Sequence, residues 1–149
     1  MARHELLLLA CLFPLMGLTG CSRDTVRLTG EVVRVRGNQM PSPDLPPPMH
    51  PGYSTTLFFF EPFRAEKAVA TRETGVYSEI RSPLKAKVST DEKGNFSLRL
   101  PPGRYSVLIA RDSLYYTNIQ DGQGFLNPVE IRKGSSNRIR LQADWDAVH

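Results

Sequence analysis

Any metal or nucleophilic chemistry in this chain has to be built from two cysteines, Cys11 and Cys21, and three histidines, His4, His50 and His149. A hydrolytic zinc site needs two histidines and a carboxylate that converge on the metal. His50 lies in a proline-rich stretch and His149 is the last residue, and neither has a partner at ligand spacing. No Gly-x-Ser-x-Gly elbow presents a serine, and no Walker-type loop is shaped for a phosphate. Asp121-Gly122-Gln123-Gly124, with Asp112 or Asn118 adding oxygens, reads as half of a calcium loop. Calcium takes about six to eight oxygens, however, and Asp and Gly are what a tight turn requires. No catalytic residue, metal or cofactor is assigned. What remains is aromatic: Tyr115 and Tyr116, with Phe125 beyond the next turn, form the densest ring cluster in loop-like sequence. Rings on loops offer flat faces to sugars or peptides, or they cap the open end of a core. These three are the candidate ligand residues.

The cysteines belong to a different chemistry. After Arg3, the run Leu6–Leu18 is almost wholly apolar, which suits a secretory signal and is too short for a membrane span of about 20 residues. Leu18-Thr19-Gly20-Cys21 follows. That sequence resembles a bacterial lipobox, in which small residues admit the peptidase and the cysteine thiol receives a diacylglyceryl group. The resemblance implies cleavage before Cys21 and lipid, including palmitate, on Cys21. Cys11 then leaves with the signal, so the remaining domain has no disulfide and depends on packing. Several acyl chains on one residue anchor firmly, whereas one chain binds only marginally.

At 149 residues the chain holds one ordinary domain. Its charged fraction of 23% and apolar fraction of 40% argue against wholesale disorder. The net charge of +4 is unchanged by loss of the signal, because Arg3 and Glu5 cancel. Basic residues are spread along the sequence, which argues against nucleic acid as a partner; a solvated surface with no dedicated partner is the favoured reading, ahead of a generally basic surface near anionic lipid or lipopolysaccharide.

Short alternating runs between turn residues predict an all-β chain. Strand material is read over 25–36, 55–61, 76–80, 84–90, 95–100, 105–110, 129–131 and 137–143, with a bulge near Val32 and Val33. Residues 37–54 carry half of the 12 prolines and read as an extended loop. Phe58, Phe59 and Phe60 in a row predict burial on both faces or an edge covered by a loop. Residues 64–74 read as a short helix or a crossover, and 112–127 as loop. Asp91-Glu92-Lys93-Gly94 is read as a hairpin turn and Pro101-Pro102-Gly103 as a second sharp turn. Trp145, between Asp144 and Asp146, is expected against a sheet edge.

The run Thr90-Asp91-Glu92-Lys93-Gly94-Asn95-Phe96-Ser97-Leu98-Arg99-Leu100-Pro101-Pro102-Gly103-Arg104-Tyr105-Ser106-Val107 resembles the carboxypeptidase regulatory-like domain, and Gly30-Glu31-Val32-Val33 is similar to that family's opening strand. Gly37-Asn38-Gln39-Met40-Pro41 and Gly122-Gln123-Gly124-Phe125-Leu126-Asn127-Pro128-Val129 resemble lipoproteins of this family from Bacteroidota. The resemblance implies a single seven-stranded antiparallel Greek-key β-sandwich of transthyretin-like (prealbumin-like) type, with the Pro-rich loop inserted and no catalytic residues of its own. The expected organisation is a signal over 1–20, a lipidated tether over 21–27, the sandwich over 28–143 and a tail over 144–149. The expected role is a non-catalytic lipoprotein of the bacterial cell envelope, in the outer membrane. It would be held by Cys21 and present the sandwich to a protein or glycan partner in surface assembly or polymer uptake. A metal-dependent hydrolase of the envelope, or an accessory to one, is the competing reading.

Overall fold

The structure is a computed structural model that describes residues 24–40, 43–44 and 46–148. The signal residues 1–20, Cys21, Pro41 and His149 lie outside the described residues. Among the described residues the fold is all-β, with ten strands and a single 3-10 turn at Ala65–Lys67. The strands are β1 (Val26–Asn38), β2 (Thr56–Phe60), β3 (Ala68–Ala70), β4 (Val76–Ile80) and β5 (Leu84–Ser89), followed by β6 (Asn95–Leu100), β7 (Gly103–Arg111), β8 (Leu114–Tyr116), β9 (Pro128–Ile131) and β10 (Asn137–Val148). Three of them form one sheet in the order β10-β1-β6; the rest form a sheet in the order β3-β4-β8-β7-β2-β5, with β9 also on β7.

Period-2 alternation explains how the sheets meet. Leu28 and Val32 of β1, Phe96 and Leu100 of β6, and Leu141 and Ala143 of β10 share one buried cluster with Leu57, Phe59, Val107 and Ile109 of the larger sheet. Thr29 and Glu31, one residue out of step, face the other way. The phenylalanine run is buried on both faces. Phe59 enters this shared core, while Phe60 packs with Phe63, Leu108 and Leu126 in a second cluster on the far side of the larger sheet, with Phe58 and Tyr115 against it.

Several local expectations change once strand partners are known. Asp91–Gly94 is a tight turn, with Asp91 Oδ1 accepting the amides of Lys93 and Asn95, but it closes no hairpin. β5 pairs with β2, and β6 pairs with β1, so this turn is a corner between sheets. Pro101 and Pro102 make a second corner, which Tyr105 clasps by donating its hydroxyl to the Pro101 carbonyl at 2.7 Å. Pairing is antiparallel throughout except between β1 and β10, which run parallel. These two strands come from opposite ends of the described chain, so no short turn constrains their direction. The register break of β1 falls between Arg34 and Arg36, later than the Val32–Val33 step. Val32 and Val33 are both buried for another reason: Val32 faces the core, and Val33 lies under a bridge to Gly52.

Two strands cross the expected domain limits of 28 and 143. β1 starts at Val26, inside the expected tether, and β10 continues through the expected tail to Val148. The expected loop after residue 112 contains β8, formed because Asp112 adopts φ 52 and turns the chain back onto β7. Asp tolerates this left-handed conformation better than most residues.

Candidate functional site

The largest concentration of rings and charges lies at the end of the shared core farthest from the start of β1. Four strands and the end of the Pro-rich segment deliver it. Arg34 is an odd number of residues beyond the outward-facing Arg27 and therefore turns inward, opposite Ala143 of the core. Tyr53 arrives from the end of the Pro-rich segment. There Pro51–Tyr53 continues the ladder on β1 where β6 stops: Arg34 N–H donates to the Pro51 carbonyl and Tyr53 N–H to the Val32 carbonyl, both at 2.9 Å. The approach is close enough to require glycine twice. A Cβ on Gly52 would sit 1.9 Å from the Lys93 carbonyl oxygen, and one on Gly94, at φ +80, would sit 2.1 Å from that of Val32. β7 supplies Arg111, β8 supplies Tyr116, and the end of β10 supplies Asp144, Trp145 and Asp146.

Trp145 is the hub. Tyr116 and Tyr53 meet its ring edge-on at centroid separations of 4.9 and 5.7 Å. The Arg34 and Arg111 guanidiniums lie 5.5 and 5.3 Å from its centroid, and Arg34 is also 5.0 Å from the centroid of Tyr53. Carboxylates hold both arginines: Arg34 Nη2 is 2.6 Å from Asp146 Oδ2, and Arg111 pairs with Glu73. Tyr116, only 3% exposed, donates its hydroxyl to Asp144 Oδ1 at 2.6 Å, and Asn118 donates to Asp144 Oδ2 at 2.6 Å. Burial first, and then the Asp144 hydrogen bond and charge, push the Tyr116 phenol well above its ordinary range. The Arg34 hydrogen bond holds the Asp146 carboxyl below its ordinary range, aided by the charges of Arg34, Arg36 and Arg111 against a smaller desolvation penalty. Arg34 Nε is buried without a hydrogen-bond partner among the described residues.

A cleft of about 460 Å³ opens beside this cluster, lined by Arg34, Arg36, Met49, Pro51, Gly52 and Tyr53. Met49 stands 93% exposed at its rim. Two cationic side chains and an aromatic face in one cleft suit a ligand with an anionic or strongly polar group and a flat apolar surface.

The sequence-selected rings fall elsewhere or inside. Tyr115 and Tyr116 are strand residues of β8, not loop residues. Tyr115 packs edge-on against Phe58 and Phe60 at 5.0 and 5.7 Å, and Tyr116 belongs to the buried base of the Trp145 cluster. Phe125 is separate from both: its ring lies between the Arg64 and Arg104 guanidiniums at 5.2 and 4.9 Å, beside a shallower cleft with Pro62 and Phe63. Its loop repeats the Asp91 turn. Asp121 Oδ1 accepts the amides of Gln123 and Phe125, and Arg104 bonds the other carboxylate oxygen at 2.7 Å. Desolvation tends to raise the Asp121 carboxyl, but the two amides and Arg104 outweigh it and hold it low. Among the described residues no three His, Cys, Asp or Glu side chains are grouped to hold a metal, and no helix is long and apolar enough to cross a membrane.

Sequence reasoning placed Trp145 at a sheet edge and did not identify Tyr53, Arg34, Arg111 and Asp144 as its partners. The available signal was parity on β1, which turns Arg34 inward, together with a lone tryptophan between two acids. Comparison with protein-family models, curated proteins and solved structures finds no match to this chain.

Proposed function

We propose that the chain is a non-catalytic lipoprotein of the bacterial cell envelope, held in the outer membrane through Cys21, that presents a carboxypeptidase regulatory-like sandwich as a binding module. The observation that carries this reading is the course of β1. Only Ser22, Arg23, Asp24 and Thr25 separate Cys21 from Val26, and the same strand reaches Arg34 at the cleft. At about 3.3 Å per residue, the lipidated end and the Trp145 cluster lie roughly 26 Å apart along one strand. An anchor at one end and an aromatic, cationic cleft at the other is the layout of a module that keeps its ligand site clear of its own anchor. Two packed sheets sharing one core, two sheet-to-sheet corners, and the Asp-turn and Pro-Gly-x-Tyr segments in place support the sandwich reading.

The ligand chemistry that fits the cleft is a polar polymer segment such as an acidic glycan, stacked on Tyr53 with its anionic group on Arg34 and Arg36. That ligand class supports a role in glycan uptake or surface assembly. Trp145 is the only tryptophan, so its emission reports on the site without a label. Titration with acidic oligosaccharides should change that emission saturably, and Arg34→Ala should weaken binding about tenfold or more. The absence of any saturable change with acidic and neutral oligosaccharides alike would overturn the glycan reading.

A further inference from the structure

The outward face of the three-stranded sheet has a different character. Arg27 of β1 is the direct cross-strand partner of Arg99 of β6, Thr29 lies between Ser97 and Arg138, and Glu31 lies between Asn95 and Arg140. The face therefore carries four arginines and one glutamate, which sits 3.7 Å from Arg140. Among the described residues no carboxylate lies within ion-pair distance of Arg27, Arg99 or Arg138. Like charges directly opposite on paired strands disfavour the sheet, and a local rule broken without an internal compensation points to a function outside the fold. Residues 27, 99, 138 and 140 are far apart in sequence, so only strand pairing gathers them.

We propose that this arginine face lies against the anionic headgroups of the membrane to which the chain is anchored. The proposal rests on Cys21 as the anchor. The chain from Cys21 to Val26 reaches at most ~17 Å, so the sheet cannot move far from the bilayer. Its start is further fixed by Lys133, which pairs with Asp24 at 2.6 Å, and by Arg99, which donates to the Thr25 carbonyl at 2.8 Å. Phosphate-bearing lipids supply the missing counter-charge. The domain then lies along the membrane on this face, leaving the Tyr53–Trp145 cleft at its end open from the side.

The test uses the lipid-modified protein carrying Thr29→Cys with a fluorophore at the centre of the face, reconstituted into vesicles and challenged with neutral acrylamide. The probe should be shielded in vesicles containing phosphatidylglycerol and open in pure phosphatidylcholine, with the shielding lost in high salt. Each basic residue at an anionic surface contributes roughly fivefold, so Arg27→Gln, Arg99→Gln and Arg138→Gln together should cut the ratio of lying to free orientations about a hundredfold. Lys67→Gln, Arg81→Gln and Lys87→Gln, an equal charge loss on the side of the other sheet, should leave shielding intact. Unaltered Trp145 emission shows that each variant is folded. Equal quenching in both vesicle types, or equal effects of the two triple variants, would overturn the proposal while keeping the anchor. A chain that does not float with phosphatidylcholine vesicles has no anchor, and the proposal falls with it.

Discussion

The two ends of β1 use the same side chain in opposite ways. Arg27, near the start, points outward, faces another arginine and bonds only a serine hydroxyl, Ser97 Oγ at 3.1 Å. Arg34 turns inward, lies over two aromatic rings and meets a carboxylate at 2.6 Å. Strand parity alone separates them. The fold fixes Arg34 in place at the cleft, whereas Arg27 has no carboxylate partner among the described residues. The same contrast extends to Arg111, stacked on Trp145 and paired with Glu73, against Arg138, exposed at the edge of the sheet. Charge counted along the sequence treats these residues alike, whereas their environments hold one pair against rings and carboxylates and leave the other without a carboxylate partner among the described residues.

The contrast can be broken first at the inward end. Tyr116→Ala removes a buried ring from beneath Trp145 and should cost about 3–5 kcal/mol in denaturant unfolding. Tyr116→Phe keeps the ring but deprives Asp144 of its phenol donor, and should cost about 1–3 kcal/mol. A loss well below 1 kcal/mol for the alanine variant would mean that the cluster is not a packed unit.

Acid should act on the inward end through Asp146. Its carboxyl titrates lower in the folded protein than in the unfolded chain, so its contribution is complete above the ordinary aspartate value of about 3.9 and is lost as pH falls through the lowered folded value. Stability followed by Trp145 emission should therefore fall below about pH 4, and Asp146→Asn should flatten that dependence. Identical acid profiles for the two proteins would assign the effect to other carboxylates.

The smallest change is expected at the outward end. Arg27→Thr removes one of two facing like charges and replaces it with a good strand former, so stability should stay within about 0.5 kcal/mol or rise slightly. A loss above 1 kcal/mol would show that Arg27 serves the fold, which would remove the asymmetry between the two ends.

The strands were legible where local pattern decides them. Val76–Ile80 and Asn95–Leu100 have the expected limits, because alternation and flanking turns are written within a few residues. Partner choice was not legible. The Asp91 turn gives no sign that its two flanking strands belong to different sheets, since that depends on Leu57 and Leu28 facing one another from distant parts of the chain. β8 was hidden because a two-residue turn at Asp112-Ser113 looks like ordinary loop until Tyr115 and Tyr116 are set against Ala110 and Ile109. The cleft was half visible. Trp145 stood out as a lone ring expected at a sheet edge, but its meeting with Tyr53 depends on the ladder at Pro51–Tyr53 and on β10 running to Val148, both of which are long-range pairings. The arginine face was invisible for the same reason.

The account depends most on the anchor, because both the reach of β1 to a distal cleft and the placement of the arginine face start from Cys21. Tryptic mass spectrometry of the protein purified from cell membranes tests this directly. The expected N-terminal fragment is Cys21–Arg23, carrying a diacylglyceryl group and an amide-linked acyl chain. Recovery of unmodified His4–Arg23 as the sole peptide covering this region would contradict the account.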